Sequence, residues 1–510
     1  MRLIRLALAM LALFLPATAQ AQWRRAESPN FIVYGNIGES QLRERVLLLE
    51  DFDRLLRMLA SGDEERSPKL HIYIVNGIED LRVIRPMPDG IAGYYIATDD
   101  GIAAFVDGRA ERRGNETLLH EYTHHFMRQH MRGSYPLWYV EGFAEYFATV
   151  RFASRHIDIG DYSRGRAYQI LSGQWLPMER VLSGGTAGLS REGLSAYYAQ
   201  SWLLVHYFYS NPQRQQALAR LLRASRGRSD ARSALQAATG MTPEQLTDEL
   251  RRYIRPGTIS YRRAPRASAD APPAVTVTAM PRATGDMIIY EAALRVGILE
   301  ENRQAYLQRI RTAAARHPND PFAMRVLAHA ELLYGDGDAA DGLLDRLLAS
   351  SPNDADLLYL KGMRYLVAAR SDDPPEGAAS SARSWFARAR AADPNHYQAF
   401  ARYVESLRGG AEFVSDEARD LLVEASRLAP QVASIALNTA NVLIARGDYD
   451  EAIRLLAPLA VNPHDQGLAD IARRLITQAL ERRMNEGGPA RPDERDAGEE
   501  TEPPAEKPAG

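Results

Sequence analysis

His120, Glu121 and His124 stand in the spacing His-Glu-x-x-His, and a second acidic pair, Glu141 and Glu145, follows in the run Trp138 to Glu145. On an α-helix His120 and His124 sit one above the other on one face, so both imidazoles reach one ion from a rigid support. Glu121 lies about 100° around that helix, close enough to take a proton from a water on the ion without displacing it. Histidines that hold one zinc ion and a glutamate that serves as base are the working parts of metal-assisted hydrolysis. Two histidines and a water leave a tetrahedral ion one protein ligand short, and Glu141 is the best-placed residue to fill the gap. Glu141 and Glu145 again share a face. Two carboxylates in so apolar a stretch are costly to bury alone, and an ion and a ligand histidine would compensate them. His125, five residues from His120, points away from the shared face and reads as a flanking or outer residue. The competing interpretation is a surface helix with solvated charges, because His-Glu-x-x-His recurs by chance. Against it stand the apolar setting, the acid-bearing apolar stretch that follows, and an export signal at the N-terminus.

The elements that must carry these groups are legible nearby. Asn115 or Thr117 can cap a helix and Glu116 suits its positive end. Leu118, Leu119, Tyr122, Phe126 and Met127 supply apolar flanks, and Gly133 to Pro136 end the helix. Pro136 suits the first turn of a second helix, predicted through Trp138 to Ala148. Gly142 beside Glu141 would let the two helices approach closely.

With these residues in place, the chain resembles the gluzincin metallopeptidases, the peptidase-MA-like group related to thermolysin and aminopeptidase N. The likeness lies in His120-Glu121-x-x-His124, sixteen intervening residues, and Glu141-Gly142-Phe143-Ala144. The resemblance implies that Glu141 is the third zinc ligand and that Glu145, one turn on, bonds a ligand histidine and fixes its orientation. A further similarity, Tyr197-Tyr198-Ala199-Gln200-Ser201, implies that Tyr198, with Tyr197 in reserve, donates its phenolic O–H to a developing oxyanion. The plainer alternative is that both tyrosines cap an apolar helix, Trp202 to Tyr209. In this group the last strand before the metal helix edges the cleft and pairs with an extended substrate. That expectation falls on Ile102, Ala103, Ala104, Phe105 and Val106. No Gly-Ala-Met-Glu-Asn type segment is present, which favours an endopeptidase over an aminopeptidase.

The chain has 510 residues, 45% of them hydrophobic and 25% charged, with a formal net charge of -3. That is an ordinary balance for a soluble globular protein of two or more domains, with no field or motif that favours nucleic acid. The absence of cysteine excludes disulfides, thiolate zinc ligands and a lipidated cysteine. Met1 to Arg5 is basic, Leu6 to Leu15 apolar, and Ala19-Gln20-Ala21 a small-residue cleavage site, which together read as a secretory signal over 1–21. The expected product is periplasmic or secreted, from a bacterial cell, with no stable membrane anchor.

Along the chain, Phe31 to Tyr34 and Leu70 to Val75 read as strands. Glu39 to Leu59 reads as an amphipathic helix, and Tyr94 to Ala97 with Ile102 to Val106 as a hairpin. From Glu145 to about Ile254 the sequence reads as mostly helical. Residues 256–284, rich in proline, are expected to be a linker after a peptidase domain at 24–255. Over 285–484, prolines recur at Pro318, Pro352, Pro394, Pro430 and Pro463, with an insertion at Ser371 to Pro375. Ala440 to Ala452 resembles the tetratricopeptide repeat. Such helix pairs stack because one pair cannot bury its apolar face alone, and they usually bind protein in a concave groove. Residues 485–510 carry eight acidic and three basic side chains with five prolines and read as a disordered tail. The expected class is α+β: a thermolysin-like gluzincin domain with a small mixed sheet plus helices, then an all-α tetratricopeptide-repeat superhelix. The expected function is an exported zinc metallopeptidase whose repeats bind substrate or a partner protein. The rival is an envelope scaffold acting through its repeats, with a vestigial peptidase domain.

Overall fold

In the computed structural model the described residues are 22–60, 66–87, 91–109, 115–131, 133, 135–225, 230–254, 261–266, 272–460 and 466–486. The expected signal at 1–21, Pro463 and all but the start of the tail at 485–510 lie outside them.

The N-terminal half begins with strands β1 (Arg24–Glu27) and β2 (Phe31–Gly35), helix α1 (Glu39–Ala60), β3 (Leu70–Val75) and α2 (Ile78–Ile84). The hairpin β4 (Gly93–Ala97) and β5 (Ile102–Asp107) precedes α3 (Glu116–His130) and α4 (Leu137–Ala148). Two short strands follow, β6 (Arg151–Phe152) and β7 (His156–Ile159). Helices α5 (Arg164–Ser172), α6 (Met178–Leu182), α7 (Arg191–Tyr209), α8 (Pro212–Ser225), α9 (Ala231–Thr239) and α10 (Pro243–Tyr253) complete this half. Strands β8 (Arg262–Pro265) and β9 (Thr276–Ala279) come next.

The main sheet runs β4-β5-β3-β2-β1-β9. Strands β2, β3 and β5 are mutually parallel, while β4, β1 and β9 each join antiparallel to a neighbour. Alternation along β5 divides the two cores, as a period of two requires. Ile102, Ala104 and Val106 pack with α1 and α3, whereas Ala103 and Phe105 face the opposite side.

Three expectations are corrected. The described residues within 256–284 are no free linker: β9 closes the main sheet on β1, and β8 joins β6 and β7 in a second sheet. That second sheet also interrupts the helical run expected after Glu145. The strand of Ile102 to Val106 is not an edge either. It lies between β4 and β3 with all five residues buried, because the hairpin turns back on the outer side and leaves β4 exposed to pairing.

The C-terminal half is a stack of helix pairs: α11 (Thr284–Val296) with α12 (Arg303–Ala314), α13 (Pro321–Tyr334) with α14 (Gly337–Ser350), and α15 (Ala355–Ala368) with α16 (Ala378–Ala392). Then come α17 (Tyr397–Glu405) with α18 (Asp416–Leu428), α19 (Ala433–Arg446) with α20 (Tyr449–Ala460), and a last helix α21 (Gln466–Asn485). Helices α13, α15, α17 and α19 begin at 321, 355, 397 and 433, each three residues after a landmark proline at 318, 352, 394 or 430. The proline stops the preceding helix, and a polar side chain caps the next: Asp320 on α13, Asp354 on α15 and His396 on α17. This is a superhelix of stacked helix pairs, and the Ser371 to Pro375 insertion sits between α15 and α16.

The two halves share their cores. Tyr73, Ala103 and Phe105 pack with Met287, Ala292 and Ile310 of the first helix pair. Tyr397, Leu428, Val432 and Ile435 join the cluster that holds α1 and α3. The turn between β4 and β5 is gripped by the repeats: Gln398 Nε2 donates to the Asp100 carbonyl at 2.7 Å, and Ser434 bonds Asp99. Among the described residues no helix is long and apolar enough to cross a membrane.

Candidate metal centre

Helix α3 is held from behind. Its Leu118, Leu119, Tyr122, Phe126 and Met127 are buried, as the apolar flanks require. The Tyr122 hydroxyl donates to Asp53 of α1 at 2.5 Å. Asn115 occupies the cap position without a side-chain cap bond, its amide oxygen accepting from Arg45 instead. The opposite face of α3 presents His120 and His124, whose Nε2 atoms lie 3.0 Å apart.

Helix α4 brings Glu141 to the same point. Its Oε2 is 3.6 Å from His120 Nε2 and 3.5 Å from His124 Nε2. A triangle with sides of 3.0, 3.5 and 3.6 Å has its equidistant point about 2.0 Å from each corner, the length of Zn–N and Zn–O bonds. Oε2 is buried and makes no hydrogen bond among the described residues; the histidines at 3.5 and 3.6 Å compensate its charge, and a bound ion would take over that role. The donor set and its spacing fit zinc. Among the described residues this is the one group of three His or acidic side chains so arranged.

Burial alone would depress the His120 imidazole. The adjoining Glu141 carboxylate, with Glu145 and Glu121, overcomes it and holds the group up at about 9. Burial opposes ionisation of Glu141, but His124 and His120 outweigh it and its pKa falls well below the ordinary carboxylate range. Glu121 is buried too, and desolvation raises its pKa despite the pull of both histidines and a backbone hydrogen bond from Tyr95. A raised carboxylate is what a proton acceptor at neutral pH needs.

Glu145 faces His120 as expected, but its Oε1 stands 3.6 Å from Nδ1, beyond hydrogen-bond length. Its strong partner is Arg166 of α5, which donates from Nε and Nη2 at 2.8 and 2.5 Å. Sequence reasoning passes over Arg166, since nothing in its spacing marks a tertiary ion pair. The same guanidinium lies over the Tyr198 ring, 5.2 Å from its centroid.

Tyr197 and Tyr198 lie inside α7 rather than at its start. The Glu141 charge, then burial, raises the Tyr198 phenol above its ordinary range. Tyr197 is wholly buried, with a hydroxyl that has no hydrogen-bond partner among the described residues. Gly142 explains how α7 comes so near. A Cβ there would meet the Ser201 carbonyl oxygen at 2.2 Å. The close approach that Gly142 allows is therefore between α4 and α7, not between α4 and α3.

His125 stays out of the cluster. It is buried against β4, its Nδ1 3.3 Å from the Tyr95 hydroxyl, and burial pushes it down to about 3. The open edge beside the cluster is β4. The backbone pairs 98:101 and 92:107 bond inward, so by antiparallel alternation the N–H and C=O of Tyr95 and Ala97 point outward. No described strand occupies that edge.

No family profile matches the chain, and no curated protein does. Among solved structures, the chain is similar to TTC0263, a thermophilic TPR protein of Thermus thermophilus. The identity is 22%, the TM-score 0.30, and the match covers 35% of this chain and 92% of that one. The structure of MamA matches at 13% identity and TM-score 0.24, over 37% of this chain and 92% of the other.

Proposed function

We propose that the chain is an exported zinc-dependent peptidase, held in place by a helical-repeat half that also offers a surface for protein. The observation that carries this reading is the donor triangle of His120, His124 and Glu141, with a buried carboxylate oxygen at one corner. Zinc bound there would supply Lewis-acid polarisation of a carbonyl and a lowered pKa for a coordinated water. Glu121, buried and raised, accepts the proton that the attacking water gives up and returns it to the leaving amine. Tyr198 keeps its O–H and donates toward the developing oxyanion. The outward C=O of Tyr95 and the outward N–H and C=O of Ala97 offer an extended peptide one side of a β-ladder, while the Tyr95 N–H is held by Glu121. The substrate edge thus moves from Ile102–Val106 to β4.

The test is chelator-sensitive cleavage of a peptide library by the full chain, with zinc content measured in parallel. Glu121→Gln is expected to keep its zinc and lose about a hundredfold or more of the rate. Full activity in that variant rejects Glu121 as the base.

A second reading is an adaptor whose repeats bind protein while the metal cluster is idle. The observation that favours it is the superhelix itself, five stacked helix pairs and a last helix over Thr284–Asn485, an architecture whose usual work is to bind protein along its concave side. Zinc retained without cleavage of any library peptide supports this second reading.

A further inference from the structure

Arg166 has an unusual position. It lies in the first turn of α5, where a cation opposes the helix dipole, and its side chain is three-quarters withdrawn from solvent. Ser163 caps that turn by accepting from the Arg166 backbone N–H at 3.2 Å, so the root of the side chain is fixed. The guanidinium then makes two parallel bonds to Glu145 at 2.8 and 2.5 Å, a fork geometry that lysine cannot copy. Glu145, gripped in this way, presents Oε1 to the Nδ1 of His120 at 3.6 Å. Three elements meet at one planar cation, because the Tyr198 ring lies beneath it.

We propose that Arg166 is the positioning residue of this centre: it clamps the Glu145 carboxylate at ion-pair distance from His120 Nδ1 and so sets the charge behind the imidazole that faces the donor triangle. The inference rests on the reading that His120, His124 and Glu141 hold zinc. Carboxylates behind a ligand histidine set its tautomer and orientation, and losing one costs about ten- to a hundredfold in metal affinity. Arg166 acts one contact further out and is expected to produce a loss of the same kind through Glu145.

The experiment is zinc affinity by chelator competition, with the visible spectrum of the cobalt-substituted full chain, for wild type, Glu145→Gln, Arg166→Met, Arg166→Lys and the Glu145→Gln/Arg166→Met pair. Glu145→Gln and Arg166→Met are each expected to weaken zinc about tenfold or more and to alter the cobalt spectrum. The double variant is expected to be no weaker than the worse single one, as coupled residues require. Arg166→Lys keeps the charge without the fork and falls between wild type and Arg166→Met; it carries the test if Arg166→Met does not fold. Wild-type protein that binds no zinc overturns the reading of the centre, and the clamp falls with it. Zinc binding by wild type, with unchanged affinity and spectrum in Arg166→Lys and Arg166→Met, overturns the clamp alone. Fully additive losses in the double variant do the same.

Discussion

Glu141 and His124 come from different helices, yet Glu141 Oε2 and His124 Nε2 stand 3.5 Å apart, close to the spacing of two neighbouring donors on a tetrahedral zinc ion, about 3.3 Å. His125, adjacent in sequence, is instead buried against Tyr95. Substituting His124 or Glu141 by Ala should therefore abolish stoichiometric zinc. Changing His125 to Phe should leave zinc content near one per chain. Metal analysis of the purified variants decides, and loss of zinc in the His125 variant would refute the assignment.

Zinc binding should strengthen as pH rises. The metal-free chain holds a proton on His120 to about 9, above the ordinary value near 6.5, and an ion needs the neutral ring. Binding thus expels a proton below about pH 9, and affinity climbs toward that point before levelling. The sign for stability is opposite. A raised histidine stabilises the metal-free fold below its unfolded pKa, and that contribution is lost as pH passes through about 9. Zinc titrations and melting curves across this range test both, and a flat affinity profile contradicts the ion-pair geometry.

Gly142→Ala should be costly. Its new methyl would collide with the Ser201 carbonyl, and overpacking of this kind costs about 1–3 kcal/mol. Because α7 carries Tyr198, activity should fall with stability. Gly342→Ala, in α14 with open space around it, should instead be neutral or stabilising by up to about 1 kcal/mol. Denaturant unfolding of the two variants gives the comparison, and equal stability would mean that α7 is free to retreat.

A chain ended after residue 283 should not fold to a well-packed state. It would bare the sheet face of Tyr73, Ala103 and Phe105, all now buried by the first helix pair, and the side of α3 that meets Leu428. The expected fragment binds hydrophobic dyes and lacks a cooperative melt. A soluble fragment with a sharp transition would show that the repeats are dispensable for the sheet.

Local and periodic features are readable in the sequence: the stacked histidines of α3, the hairpin, the long α1 and the proline-marked repeats. Each is set by residues within a turn or two of one another. What stays hidden depends on partners far along the chain. Strand β9 pairs with β1, so its four residues show no pattern that separates them from a loop. The edge is misplaced for a similar reason. Order along the chain puts Ile102–Val106 last, but the hairpin folds outward and gives the rim to Tyr95. Gly142 stands out as a contact point, yet only the packing of α7 reveals its partner helix, and Arg166 needs Glu145 in three dimensions to be noticed.

The pairing of Thr276 with Glu27 also bears on how the molecule is made. The outer strand leaves the ribosome 249 residues (276 − 27) after the one it must join. Until then β1 remains an open rim, and such late, long-range pairing is slow and vulnerable to aggregation. A chain in this half-finished condition is a natural client for holding chaperones. Because the first helix pair then covers the face of Tyr73, Ala103 and Phe105 in that same sheet, the N-terminal half and its repeats mature as a unit, not in succession.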